Sequence, residues 1–440
     1  MRCGSRRRSH EKRARRCHGR RCSGAVDVAK RARARVPPMK VLLAHPGTQY
    51  SHRLAKELSD LHLLSEFHTG FALAGESLVA RAVRHAPAII QDKISNRIAA
   101  GLQAEKVVRY PLLELRALQR HRAHRGAQEE IFFQRNKDFQ EAIPRGSLAA
   151  ADAVIGFDTS SWLLAAACRD AGISFILDQS IGHSASKAAV YRSIAETFPH
   201  WSGSVRGHPQ FLRAAEDAEH ALATRISAAS TFSIDTLVEN GVPREKIWLN
   251  PYGVDARKFE VRGSDRGRPL RFLFVGAVTA RKGVPLLLEA WSRLCPSQAE
   301  LWLVGPVSDD DRRLIGEPPG VRVLGAMPHD KIPDAMRACD VFVFPSLFEG
   351  FGLVILEAMA CGLPVISTAA TAGPDVYRDG EGGWIVPTGD AEALARTMDA
   401  CLARPVHNEE MGRLSRAIAE QHTWERYGER WRMHLATLAA

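Results

Sequence analysis

The chain contains no run of about 20 apolar residues, so no segment has the length of a membrane-spanning helix. Paired cysteines are also lacking. Cys168, Cys295, Cys339, Cys361 and Cys401 sit singly in apolar stretches, which suits buried thiols in a reducing compartment rather than a disulfide frame. The other three, Cys3, Cys17 and Cys22, lie near the start, and Cys17-His18-x3-Cys22 with His10 fits no common zinc-finger spacing. A general excess of positive charge is missing too, once the charges are mapped. The formal net charge is +11, but residues 1–38 hold fourteen Lys or Arg against Glu11 and Asp27, so that segment alone is +12 and the rest stands near neutral at −1. The remainder therefore carries no polyanion-binding signal, and no nucleic acid is expected as a partner.

Residues 1–38 also lack apolar periodicity and large hydrophobes, so they are expected to form a disordered, Arg-rich tail. They have no secretory h-region. Directly after them, Met39 opens MKVLLAHPG, which reads as the first strand and turn of a domain. The tail is accordingly read as a mis-assigned start, with an RNA-binding arm, a targeting arm or a transit peptide as alternatives.

What is present is an ordinary globular composition, 45% hydrophobic and 25% charged over 440 residues, enough for two domains. Short apolar runs alternate with amphipathic stretches: KVLLAH (40–45), AVIGFD (153–158), SFILDQ (174–179) and TFSI (231–234), then RFLFVGAV (271–278), AELWLVGP (299–306), VRVLGA (321–326), VFVFPS (341–346) and PVIST (364–368). This alternation predicts two doubly wound α/β units with parallel sheets. The Gly/Pro- and charge-rich stretch after GVPREKIWLN reads as the connection. It places a first domain over 39–255, a second over 256–420, and a terminal helix over 421–440 that packs at the domain junction. Residues 81–125 stand apart, with ten Lys or Arg against Asp92, Glu105 and Glu114 and with Leu, Ile and Val at roughly helical spacing. Such a segment suits either a solvated face around a core helix or a peripheral contact with an anionic membrane.

The most specific stretch is FVFPSLFEGFGLVILEAMACGLPVIS. A strand ends at Pro345, a Gly-rich loop follows and a helix starts near Gly352, so Glu349 falls in the loop at the sheet's C-terminal edge and Glu357 about one turn into the helix. Both can face one crevice. The amides of Phe351, Gly352 and Leu353 form the helix N-terminus and offer donors to an anionic or hydroxyl-rich ligand, while Gly350 allows close backbone approach. In FLFVGAVTARKGVPLLLEAW a second strand-loop-helix carries Arg281 and Lys282 at the helix start, where two cations can hold a diphosphate.

Together, Glu349-x7-Glu357, the following EAMACGLPVIST and the later EGGWIVPTGD resemble the donor site of glycosyltransferase family 4. That resemblance implies a GT-B fold, two Rossmann-like domains facing a central cleft, and a retaining, metal-independent hexosyl transfer from a nucleoside-diphosphate sugar. By the same likeness Glu357 holds the ribose, Glu349 meets hydroxyls of the transferred sugar, and Lys282 neutralises the diphosphate. The family's arginine directly after the glycine is replaced by Ala277, so Arg281 is assigned the second charge. Gly47 stands where the family brings a glycine-rich loop to the diphosphate, and His183 in LDQSIGHSA is assigned to the anomeric centre, with His45, His52, His200 and His208 as competitors. GVPREKIWLNPYGVD and VLGAMPHDKIPDAM also resemble family segments. No cofactor is expected beyond the nucleotide-sugar co-substrate. The triplet Asp309, Asp310 and Asp311 is read as a solvated turn rather than a metal motif. The acceptor is expected to be a glycan or a lipid-linked molecule, and the location cytoplasmic, at the inner face of the membrane. Two alternatives share parts of this reading: an epimerase or phosphorylase of the same architecture, and a non-catalytic protein binding nucleic acid or membrane through the tail.

Overall fold

A computed structural model describes residues 39–47, 50–74, 98–99, 101–123, 127–204, 207, 209–261, 263, 267–294 and 299–438. The first 38 residues, and with them the expectation of a disordered tail, lie outside the described residues. So do His208, Cys295 and most of 75–100.

Seven strands form the first sheet: β1 Val41–His45, β2 Leu64–Thr69, β3 Val107–Arg109, β4 Ala153–Phe157, β5 Ser174–Gln179, β6 Arg225–Ala228 and β7 Ile247–Leu249. Their order is β3-β2-β1-β4-β5-β6-β7, parallel throughout. Six strands form the second: β8 Leu270–Val275, β9 Ala299–Val304, β10 Val321–Gly325, β11 Val341–Phe344, β12 Val365–Thr368 and β13 Gly383–Val386, in the order β10-β9-β8-β11-β12-β13 and again all parallel. Every residue of β1, β4, β11 and β12 is buried, as expected of parallel strands covered by helices on both faces. The two sheets make the expected pair of Rossmann-like units.

The helices that matter below are α1 Ser51–Asp60, α2 Pro111–Ala123, α3 Gln128–Ala142, α4 Trp162–Ala171, α5 Ser184–Thr197, α6 Gln210–Leu222, α7 Thr231–Glu239, α8 Val284–Ser292, α9 Leu353–Ala360, α10 Pro405–Ala419 and α11 Trp424–Ala436. In each sheet the strand order reverses beside the first strand, between β1 and β4 and between β8 and β11. Ligands of open α/β sheets bind at such switch points, outside the strands' C-terminal ends.

Three local expectations need correction. TFSI is not a strand but the start of α7: the Ser230 side chain accepts the Ser233 amide and caps the helix, and Ile234 and Leu237 turn inward at helical spacing. The neighbouring strand is β6, whose RISA gives little apolar signal. The Asp309–Asp311 triplet is no loop turn but the first turn of a helix, Asp309–Ile315, capped by Ser308, with Asp311 buried against the cap. Three carboxylates there complement the helix dipole. Finally, the described part of 81–125 holds no core helix: the short strand Ile98–Ala99 and a 3-10 turn at Ala104–Lys106 lead into β3, and α2 after it buries none of its residues.

The chain crosses between the sheets twice, side by side. The Val254 amide donates to the His422 carbonyl at 2.8 Å, and a Cβ on Gly253 would stand 2.3 Å from the Thr423 carbonyl carbon, so this crossing needs a glycine. Beyond it, α11 returns to the first sheet's side: Arg430 bonds to Asn250 at 2.8 Å and to the Pro251 carbonyl, and His434 stacks on Trp248 at 4.8 Å.

Candidate active site

At the switch point of the second sheet, two loops are tied together by backbone. The Arg281 carbonyl, beyond β8, accepts from the Leu347 amide at 2.9 Å, beyond β11, and Ser346 is anchored in turn by Thr368 Oγ1 at 2.6 Å. Gly283, with φ +76°, caps α8; a Cβ there would lie 1.9 Å from the Pro345 carbonyl oxygen, so only glycine lets the loops meet. This tie brings the predicted charges together. Lys282 is ion-paired to Glu349 and sits 5.0 Å from the Phe344 ring centroid, while Arg281 lies 3.8 Å from Glu349 and donates to the Phe348 carbonyl at 2.6 Å. Burial lowers the pKa of Lys282, and the adjacent Glu349 carboxylate opposes that shift.

Glu357 lies in α9 with its carboxylate mostly covered. Its partner is His329, whose Nε2 is 3.5 Å from Glu357 Oε1; the hydrogen bond to Glu357 raises the His329 pKa. His329 was not among the predicted site residues, although it belongs to VLGAMPHDKIPDAM. Phe351 is buried against Tyr252 at 5.1 Å, and Gly352, with φ +87°, caps α9. Among the described residues, no acceptor is bonded to the amides of Phe351, Gly352 or Leu353, which leaves these donors to a ligand. Gly350 is placed differently from its neighbours. Its open side faces the first sheet's domain, where a Cβ would come 1.9 Å from the Ser180 carbonyl oxygen, and its own carbonyl accepts from Ser230 at 2.5 Å and Ser233 at 3.1 Å. Thr231 adds a hydrogen bond from its amide to Asp375 at 2.9 Å, and Phe232 packs edge-on to Phe348 at 5.2 Å. The close approach at Gly350 is thus between domains rather than toward a ligand.

Facing this, the switch point of the first sheet holds a polar pocket of about 250 Å³ lined by His45 at the end of β1, Gly47 after it, Asp158 to Ser160 after β4, Ser180 after β5, and Phe132, Arg135 and Asn136 from α3. Ser180 borders both this pocket and Gly350. Asp158 accepts from Ser180 Oγ at 2.8 Å, and burial pushes its pKa up to about 6. Thr159 adopts φ +61°, a conformation few non-glycine residues hold. It is fixed by Glu219, which accepts the Thr159 and Ser161 amides at 2.8 and 2.6 Å, and by Asn136 on its carbonyl at 2.8 Å. His45 is buried and held neutral, its pKa lowered to about 3 by desolvation and by Arg135. Gly47 stands against His45, with a virtual Cβ 2.9 Å from Nε2.

His183 caps α5. Its Nδ1 accepts the Ala185 amide at 3.1 Å, so the neutral ring carries its proton on Nε2, and burial lowers its pKa. His183, Asp217 and His220 have ligand-type atoms within 4.8 Å of one another. One nitrogen of each ring is already engaged, His183 with Ala185 and His220 with Gln179 Oε1 at 2.9 Å. The competing His52 lies on α1, T-shaped to Phe67 at 5.3 Å, and His200 is exposed. Asp158, Ser180 and the Ser230–Ser233 contacts carried no motif by which sequence reading would find them.

Residues 269–404 match the family model described as Glycosyl transferases group 1. That match covers the whole second sheet and both charged loops. Over 179 residues the chain is 32% identical to the amylovoran biosynthesis glycosyltransferase AmsK of Erwinia amylovora, covering 36% of this chain and 42% of that protein. Over 160 residues it is 34% identical to the phosphatidyl-myo-inositol mannosyltransferase of Mycobacterium leprae, covering 34% and 42%. The chain thus spans about two fifths of the length of these curated relatives. The architecture as a whole is GT-B. It is similar to the crystal structure of Anabaena HepE in complex with UDP and glucose, with a TM-score of 0.60 and 16% identity over 91% of this chain and 100% of that one.

Proposed function

We propose that this chain is a retaining, metal-independent glycosyltransferase of family 4 that moves a sugar from a nucleoside-diphosphate sugar to a glycan or lipid-linked acceptor at the cytoplasmic side of a membrane. The observation that carries this reading is the meeting of Lys282 and Arg281 with Glu349 at the switch point of the segment that matches Glycosyl transferases group 1. Two cations in a half-buried crevice beside a helix N-terminus suit a diphosphate, because low polarity strengthens their attraction to it. In the donor complex the diphosphate displaces Glu349 from Lys282, and the freed carboxylate accepts from hydroxyls of the sugar. Glu357 accepts from the ribose hydroxyls, a task for which a carboxylate's two oxygens are suited. The amides of Phe351, Gly352 and Leu353 and the Gly47 turn complete the donor cradle. The Asp158 pocket then takes the acceptor, its carboxylate and hydroxyls orienting a sugar's hydroxyl groups, and His183 donates from Nε2 near the anomeric carbon.

In the transfer step the bond from the anomeric carbon to the diphosphate oxygen breaks as the acceptor oxygen bonds to the same face. The acceptor proton passes to the departing phosphate. Lys282 and Arg281 stabilise the charge that grows there, which is the term expected to dominate the rate. Domain closure through Gly350 and Ser180 excludes water.

The test is a thermal-stability panel with UDP, GDP, ADP and dTDP on the purified chain, combined with turnover of the matching sugars. One nucleotide at 100 times its dissociation constant should stabilise by about 2.7 kcal/mol. Glu357→Ala should lose most of that stabilisation, whereas Lys282→Ala should still bind but transfer roughly 10²–10³-fold more slowly. Chelation should leave the rate unchanged, and the product anomer should match the donor's. Transfer by both variants at the parent's rate under limiting donor would overturn the assignment.

A further inference from the structure

Two routes lead from the loop that carries Glu349 to His183 on the first sheet's side. One runs through hydroxyls. Ser230, Ser233 and Thr236 stand at i, i+3 and i+6 along α7 and its cap, all of them buried, so they share one face. Ser230 and Ser233 donate to the Gly350 carbonyl, while Thr236 Oγ1 accepts the His183 amide at 3.0 Å and donates to the Ser233 carbonyl at 2.8 Å. A hydroxyl suits this place because it accepts and donates at once.

The other route runs through a ring. Phe348 is fully buried, its carbonyl takes Arg281 and its ring packs on Phe232 of α7. A Cβ on Gly182 would stand 2.8 Å from Phe348 Cζ and 2.7 Å from Thr236 Oγ1. Gly182 is not among the glycines with positive φ, so space rather than conformation calls for a glycine there. It is held between a ring from one domain and a hydroxyl from the other, and a side chain would push one of them away. His183 follows directly. Its place is therefore set by what grips Gly182 and by the bond to its own amide, while the Ala185 amide on Nδ1 leaves Nε2 to a ligand.

We infer that Phe348 and Thr236 are positioning residues: they clamp Gly182 and the His183 amide across the domain boundary and so fix His183 in register with Arg281 and Lys282. That the clamp serves sugar transfer rests on the transferase reading; the clamp itself does not.

Two readouts on the full chain test this. The first is the ¹⁵N spectrum of the His183 ring, identified by its loss in His183→Gln, which should show the proton on Nε2 in the parent. Phe348→Leu and Thr236→Val should each give a mixture of the two tautomers, and Thr236→Ser, which keeps the hydroxyl, should restore the parent's spectrum. The second is nucleotide release from the matching nucleotide sugar. Phe348→Leu, Thr236→Val and Gly182→Ala should each lower kcat roughly 30-fold and leave nucleotide affinity within two-fold, because a misplaced group costs rate rather than donor binding. Thr236→Ser should again recover. Gly182→Ala combined with Phe348→Leu, whose shorter side chain makes room for the added methyl, should be no slower than Phe348→Leu alone. Variants that lower the melting temperature but keep the parent's ring spectrum and kcat would reduce both residues to packing and overturn the proposal. So would nucleotide affinity falling in step with kcat, or losses at Gly182 and Phe348 that multiply. A parent chain that neither binds nucleotide nor turns over a nucleotide sugar removes the transferase reading, and the ring spectrum then decides the clamp alone.

Discussion

The two sheets share their first six positions of strand order, and each opens a crevice where that order reverses, yet opposite chemistry ends the flanking strands. After β8 and β11 come Arg281, Lys282, Glu349 and a free helix N-terminus, a set that holds anions. At the ends of β1 and β4 stand a neutral buried imidazole, hydroxyls and a carboxyl whose pKa burial has raised to about 6, a set that holds uncharged, hydrogen-bonding groups. Topology alone therefore decides where a ligand sits, and the residues after two strands decide which ligand. In the proposed transferase this is a division between donor and acceptor.

The contact that joins the two crevices gives the largest way to break this comparison. Gly350 is read as an interdomain contact rather than a ligand contact. Gly350→Ala should therefore keep the parent's nucleotide affinity within a few-fold while kcat falls roughly 100-fold, because its Cβ cannot sit 1.9 Å from the Ser180 oxygen and the halves must part by about an ångström. A matched loss of nucleotide affinity, measured by calorimetry, would return Gly350 to the donor site and erase the asymmetry.

Asp158 offers a sharper and somewhat smaller test. Its pKa in the folded chain, about 6, lies above the unfolded value, so the protein is favoured by the neutral form below the unfolded pKa and loses that stability as pH rises through about 6. At pH 7 the buried charge costs roughly 2–3 kcal/mol. Asp158→Asn should relieve about 2 kcal/mol of it at neutral pH and nothing below about pH 4, while transfer falls. Denaturant titrations at the two pH values check the sign. A variant destabilised at pH 7 would mean that Asp158 serves only to anchor Ser180.

This asymmetry also explains how much was legible in the sequence. Glu349, Glu357, Arg281 and Lys282 lie close to fixed helix starts, so spacing along the chain converts directly into position in space. Five of the six strands of the second sheet are apolar enough to be read one by one, while β13, a four-residue GWIV, is too short to stand out. The first crevice is assembled from β1, α3, β4 and β5, separate elements whose lining runs from His45 to Ser180, and Asp158 or Ser180 looks in sequence like any loop residue. Strand β2, LSEFHT, and strand β6, RISA, were hidden because polar residues interrupt them, and TFSI was misread because a capping serine outweighs β-branched content over four residues. His329 was missed for a different reason: its place beside Glu357 depends on how the turn after β10 packs against α9, which no local pattern encodes.

The smallest expected effect concerns where the first half ends. Helix α11 follows the second sheet in sequence, yet Arg430 reaches back to Asn250 at 2.8 Å and to the Pro251 carbonyl, just after β7. Arg430 is half-buried, and burial lowers its pKa. Its removal strands a covered carbonyl and a covered amide oxygen, a loss of about 1–2 kcal/mol for groups that water partly reaches. Arg430→Ala should thus lower the unfolding free energy by that amount, read from denaturant titration, without changing nucleotide affinity, since the tie belongs to the first sheet's side. Nucleotide should then protect the second sheet's amides from hydrogen exchange in the variant as fully as in the parent. If the variant instead weakens nucleotide binding, α11 couples the two crevices, and the separation between an anion-holding half and a hydroxyl-holding half is less complete than their chemistry implies.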